Sequence, residues 1–173
     1  MRQLLSEDRF DYVSRTNKEF IAAFSDAMSK QGYTWGGQIG GGYCWGIHMI
    51  IYAKTTAKSK KVVARIYLRE KSICLRLFLN NIDKHREFIE KSPAHILRAF
   101  TNDVGNCQHC HNQRDDQCRF QKSYTLAGKR YEKCSGITFE FDKPVIKKLQ
   151  EYLNLLREFY PERPRREALG SSS

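Results

Sequence analysis

The chain has 173 residues, 40% apolar and 28% charged, enough for one domain that buries roughly 70% of its unfolded surface without staples. This composition excludes a disordered polymer, a collagen and a coiled-coil rod. No apolar run reaches the ~20 residues of a membrane-spanning helix, and positions 1–20 hold no signal-peptide core. Thirty Lys and Arg against nineteen Asp and Glu leave a formal charge of +11, which attracts anionic partners or serves solubility alone. An anionic membrane surface is the weakest partner, because Glu158, Glu162 and Glu167 interrupt the basic run Arg157, Arg163, Arg165 and Arg166.

The first patterned segment predicts a helix from Thr16 to Ser29, with Phe20, Ala23, Phe24 and Ala27 on one face. Thr16 and Glu19 read as a capping box, and Gly32 as the stop. The glycine-rich run Gly36 to Gly42 follows. It does not have the strand-then-helix setting of a phosphate loop and reads as a flexible tip, able to act as a lid. A strand is expected from Tyr43 to Lys54 with Ile47, Met49 and Ile51 on its apolar face, then a polar loop to Lys61.

Positions 62–80 alternate with period two on both sides of Glu70-Lys71. A hairpin there pairs Leu68 with Ile73, Ile66 with Leu75, Ala64 with Leu77 and Val62 with Leu79, which collects the apolar set on one face. The same register sets Arg65 opposite Arg76 and Tyr67 opposite Cys74. Two like charges across a ladder are destabilising unless solvent, a carboxylate or a bound anion intervenes. Glu70-Lys71 is poor chemistry for a primed two-residue turn, so a longer loop is the expectation. Positions 82–102 read as helix broken at Ser92-Pro93. A second hairpin is expected from Phe120 to Phe141, turning at Ala127-Gly128. Pro144 opens a last helix carrying Val145, Leu149, Tyr152, Leu153, Leu156 and Phe159.

Four of the six cysteines cluster as Cys107-x2-Cys110-x7-Cys118-x15-Cys134. In a reducing cytosol, the compartment expected without a secretion signal, clustered thiols mean metal or redox chemistry before disulfides. A Cys-x-x-Cys turn supplies two thiolates, and the arms of a hairpin bring Cys118 and Cys134 together as a second pair. The expectation is a structural Zn2+ with no open coordination position. Arg119, Lys122, Lys129, Arg130 and Lys133 offset its negative charge. Reduced buried thiols and a redox dithiol are the alternatives, and the βαβ setting of the latter is absent. Cys44 and Cys74 read as small buried apolar groups.

These elements predict an α+β fold: a largely antiparallel sheet of about five strands, helices on one face, and a four-cysteine zinc-binding appendage. The core comprises 1–104 and 135–162, the zinc insertion 105–134, and 163–173 a flexible basic tail. The helix-free sheet face would show Arg65, Tyr67, Arg69, Arg76 and Phe78, joined by His48 and Tyr52 from the preceding strand and by Trp35 and Trp45. Arginines interleaved with aromatic rings suit single-stranded nucleic acid, whose bases stack and whose phosphates meet guanidinium groups. A small planar or anionic ligand would use the same groups in a closed pocket, and an ordinary solvated face is the bland alternative. No catalytic constellation stands out. Cys44 and His48 on one strand lie about 13 Å apart by strand rise, so the reading is a cytoplasmic protein that binds rather than transforms.

Overall fold

The computed structural model describes residues 1–56, 58–107, 118, 121–134 and 138–161. The fold is α+β, with a five-stranded antiparallel sheet and four α-helices among the described residues. In chain order the elements are α1 (Arg15–Lys30), β1 (Gly40–Gly41), β2 (His48–Thr56), β3 (Ser59–Arg69), β4 (Ser72–Phe78), α2 (Arg86–Glu90), α3 (Ala94–Thr101), β5 (Gln121–Leu126), β6 (Lys129–Cys134), β7 (Thr138–Asp142) and α4 (Leu149–Phe159). The main sheet has the order β1-β2-β3-β4-β7, and β5-β6 form a separate ribbon. Among the described residues no helix is long and apolar enough to cross a membrane.

Local chemistry explains the element ends. The cap of α1 is Ser14 rather than Thr16. Its side chain accepts from the Asn17 backbone N–H, so the cap sits two residues ahead of the expected one. At the other end Gly32, at φ 76°, passes its N–H to Ser29 and lets Tyr33 N–H reach Met28. That is the two-bond Schellman closure. Pro93 separates α2 from α3 as expected. Pro144 does not open the last helix; a 3-10 turn over Ile146–Lys148 precedes α4.

From Ala64 to Arg69 the β3–β4 register is the expected one, with Ala64 opposite Leu77, Arg65 opposite Arg76, Ile66 opposite Leu75, Tyr67 opposite Cys74 and Leu68 opposite Ile73; the expected pair of Val62 with Leu79 does not form, because β4 ends at Phe78. Arg69 pairs with Ser72, so Glu70-Lys71 is the whole loop despite its poor turn chemistry. The second predicted hairpin divides. Ala127 and Gly128, at φ 48° and 74°, turn β5 into β6, which is the signature of a type I′ turn. The Ala127 N–H is held by the Glu90 carboxylate. The residues expected to end that hairpin instead form β7 and join the main sheet beside β4.

The core lies between the sheet and the helices. Phe20, Ile21, Phe24 and Met28 of α1, Ile96 and Phe100 of α3, and Tyr152, Leu153, Leu155 and Leu156 of α4 share one buried cluster with Ile66, Leu68, Ile73, Leu75 and Leu77. On β2 the expected face is inverted. Ile50 and Tyr52 enter this core, whereas Met49 and Ile51 lie on the opposite side with Tyr67 and Cys74. The pairing of Ile50 with Ile66 fixes this phase, because alternation then sends odd-numbered β2 residues outward. β3 carries a bulge. Tyr52 pairs with Ala64 but Ala53 with Val62, leaving Val63 as the extra residue, and Val63 is fully buried in the core.

The ribbon β5–β6 shares this core. Tyr124 and Leu126 belong to the buried cluster, and Tyr124 donates its hydroxyl proton to the Phe100 carbonyl at 2.6 Å. Burial raises the Tyr124 pKa, consistent with a neutral donor. Lys133 is buried and donates to the carbonyls of Asn102 and Val104 and to Asn106 Oδ1. It clips the chain after α3 onto β6, and desolvation lowers its pKa.

Candidate nucleic-acid interface

The helix-free face is laid out by register. One cross-strand row runs Ile51, Arg65, Arg76, Glu140, and the next runs Met49, Tyr67, Cys74, Asp142. The opposed arginines therefore have a carboxylate beside them: Glu140 is ion-paired with Arg76 Nη2. The side chains of that pair are 8% and 18% exposed, so most of its hydration is gone and the pairing has to replace it. The Arg76 guanidinium also lies 3.8 Å from the Trp45 ring centroid and 5.0 Å from that of Tyr67. Arg65 donates to the Tyr67 hydroxyl at 3.2 Å and sits 5.1 Å from the Phe78 ring. The Nε atoms of both arginines are buried without a hydrogen-bond partner, so each guanidinium keeps a polar edge unsatisfied.

Arg69 closes the near end. It donates to the Trp45 carbonyl at 3.1 Å and pairs with Asp142 at 3.0 Å. Cys74 lies inside the face, its Sγ 3.9 Å from Glu140 Oε2. Burial first, then the charge of Glu140, push its pKa up to about 12. It stays an inert thiol.

The glycine-rich run ends in a fitted loop from Gly42 to Ile47, whereas a Cβ at Gly36, Gly37, Gly40 or Gly41 would meet open space. Gly42 N–H bonds the Ile47 carbonyl, Trp45 N–H the Gly42 carbonyl, and Ile47 N–H the Leu68 carbonyl of β3. A Cβ on Gly42 would stand 2.3 Å from the Gly46 carbonyl oxygen, and one on Gly46 would stand 2.8 Å from that of Leu68. Only glycine permits such backbone approach. The loop lays Trp45 over Arg76 and shows Tyr43, Trp45 and Ile47 to solvent, at 88%, 46% and 50% exposure. With Arg69 and Glu70 it rims an open hollow of about 670 Å³.

Six of the nine expected residues thus come together: Trp45, Arg65, Tyr67, Arg69, Arg76 and Phe78. Three do not. Tyr52 is buried in the core, where its hydroxyl meets Ser25 Oγ at 2.7 Å and its ring packs edge-on against Phe24. His48 lies on the core side of β2 beside Phe10, with Nδ1 bonded to the Tyr12 hydroxyl at 2.7 Å. Trp35 packs against the main core. The inverted phase of β2 accounts for the first two. Sequence reasoning missed Tyr43 and Glu140. The signal for Glu140 was present in Thr138-Phe139-Glu140-Phe141-Asp142, whose alternation places two carboxylates on one strand face.

At the cysteine cluster, Cys110 lies outside the described residues. The other three lie toward one end of the ribbon. Cys134 pairs with Gln121, Gln121 N–H bonds the Cys118 carbonyl, and Cys107 N–H bonds the Glu132 carbonyl. All three are free thiols, and among the described residues no group of three or more His, Cys, Asp or Glu is placed to hold a metal.

Comparisons with models of known protein families, with curated proteins and with solved structures find no match to this chain.

Proposed function

We propose that the chain binds single-stranded nucleic acid on the helix-free sheet face, with the rings of Tyr43 and Trp45 as the stacking surface and Arg65 and Arg69 facing phosphates. The observation that carries this reading is the pair of exposed rings beside Arg69, in a stretch with no carboxylate anywhere between Asp26 and Glu70. Ring faces take any base, and guanidinium groups meet the backbone. Tyr67 and Arg76 are 1% and 6% exposed, so they support the platform from beneath. The small-ligand alternative needs an enclosed pocket, and the hollow beside Trp45 is open. The test is fluorescence anisotropy with labelled oligo-uridylate at rising salt. Affinity should fall linearly on logarithmic axes, and Tyr43→Ala with Trp45→Ala should weaken it by about 1–3 kcal/mol per lost stacking contact. A chain that binds no oligonucleotide at low salt overturns the reading.

A structural zinc held by Cys107, Cys110, Cys118 and Cys134 belongs to the same proposal. The backbone bonds that draw Cys107 and Cys118 toward the Cys134 end of the ribbon support it. Zinc there would order the chain around the ribbon tip and take no part in binding.

A further inference from the structure

The geometry points to the outer end of the β2–β3 hairpin as a phosphate-gripping arm that continues the binding face, the strand running along β3 from the Trp45 loop to Lys58 and Lys60. This rests on the nucleic-acid reading above and adds the path of the strand. β4 pairs with β3 only from Ala64 to Arg69. Beyond Val62 the hairpin is therefore a two-stranded ribbon standing clear of the sheet, with Lys54 opposite Lys61 and Thr55 opposite Lys60.

The bulge decides which lysine faces the strand. Ile51 pairs with Arg65, Ala53 with Val62 and Thr55 with Lys60. Alternation along β2 thus puts Lys60 on the side of Arg65, and Lys54 and Lys61 on the other. Lys61 is used there: its Nζ lies 4.8 Å from the Tyr160 ring, whose hydroxyl bonds the Phe78 carbonyl. Backbone bonds between Thr34 and Ala53, and a 3.2 Å contact between the Thr34 and Thr55 hydroxyls, brace the opposite strand. The arm is thereby held in place before any ligand arrives, which lowers the ordering cost of binding.

Lys58 and Lys60 are exposed and have no carboxylate partner among the described residues. Lys60, Arg65 and Arg69 then form a cationic line along β3, spanning roughly 30 Å at the usual strand rise. That is the length of an extended strand of several nucleotides, more than the Trp45 loop alone can contact.

The experiment compares the full chain with Lys58→Gln/Lys60→Gln on two labelled oligo-uridylates, one of about four nucleotides and one of about sixteen, the range of site sizes for a single-strand-binding domain. The long strand should lose affinity, and its salt dependence should become shallower by about 1.4, at about 0.7 per phosphate contact. The short strand, held at the Trp45 loop, should bind the variant as it binds the wild type. Wild-type slope and affinity on the long strand would remove the arm and leave the face intact. An equal loss on the short strand would overturn it equally. Failure of the wild type to bind either strand would overturn the parent reading and the arm with it. Circular dichroism melting of the variant should match wild type, since neither lysine packs on the core.

Discussion

Arg65 and Arg76 stand directly opposite each other on β3 and β4, and the carboxylate of Glu140 is the ion-pair partner of the inner one. Two guanidinium groups in a row that excludes most water share one negative charge. Glu140→Gln should therefore lower stability by about 3 kcal/mol, the cost of leaving a buried partner uncompensated. Urea denaturation checks this, and added phosphate should restore part of the loss. A midpoint unchanged by the substitution would show the row to be solvated.

Tyr52→Phe separates core from face. Ser25 Oγ donates to the Ile21 carbonyl at 2.7 Å and so receives the Tyr52 proton. Removing that hydroxyl should cost about 1 kcal/mol of stability and leave oligonucleotide affinity at the wild-type value. Weaker binding without a change in stability would return Tyr52 to the interface.

Much of this was legible from alternation. The β3–β4 register follows from the apolar positions, because only one phase puts Ile66, Leu68, Ile73, Leu75 and Leu77 on a single side. β2 was not legible in the same way. Ile47, Met49, Ile50 and Ile51 are apolar on both faces, so periodicity alone could not choose between them, and the pairing of Ile50 with Ile66 made the choice. The bulge at Val63 left no mark in a run of apolar and basic residues. The role of the glycines was hidden for a different reason: a close backbone approach depends on what the loop packs against, and Leu68 is distant in sequence.

Gly42→Ala should destabilise the chain by about 1–3 kcal/mol, the usual cost of overpacking, because backbone rather than a movable side chain opposes the new methyl group. The effect should reach Trp45. Its fluorescence, isolated by Trp35→Phe, should shift toward that of a solvated indole. An unshifted spectrum would mean that the loop holds Trp45 by other contacts.

Stability should fall between pH 7.5 and pH 5.5. Burial, then the nearby Arg9, lower the His48 pKa. Burial also lowers that of His95, outweighing Glu151 at 2.9 Å. With native pKa values below the unfolded value of about 6.5, the unfolded chain takes up protons first as pH drops. The native state is favoured above that pH and loses ground below it. Urea midpoints at the two pH values check this, and His48→Gln/His95→Gln should flatten the difference.

Metal analysis of purified protein should find about one zinc per chain, the stoichiometry of a four-thiolate site. Cys110→Ser should reduce it. Chelation should lower the melting temperature without abolishing the fold, since Tyr124 and Leu126 anchor the ribbon in the core independently of the cysteines. A metal-free chain whose melting is indifferent to chelator would exclude the site.

The extra residue in β3 makes this strand unequally tolerant of changes in length. Excising Val63 would leave Lys60 beside Thr55 and Ala64 beside Tyr52, so the outward line of cations would survive and the interior would lose one isopropyl group. Excising a residue between Ile66 and Arg69 would instead swap inside for outside along that end of the strand. Deletions that look equivalent in the sequence would therefore have opposite fates, one a modest loss of packing and the other a misfolded central strand.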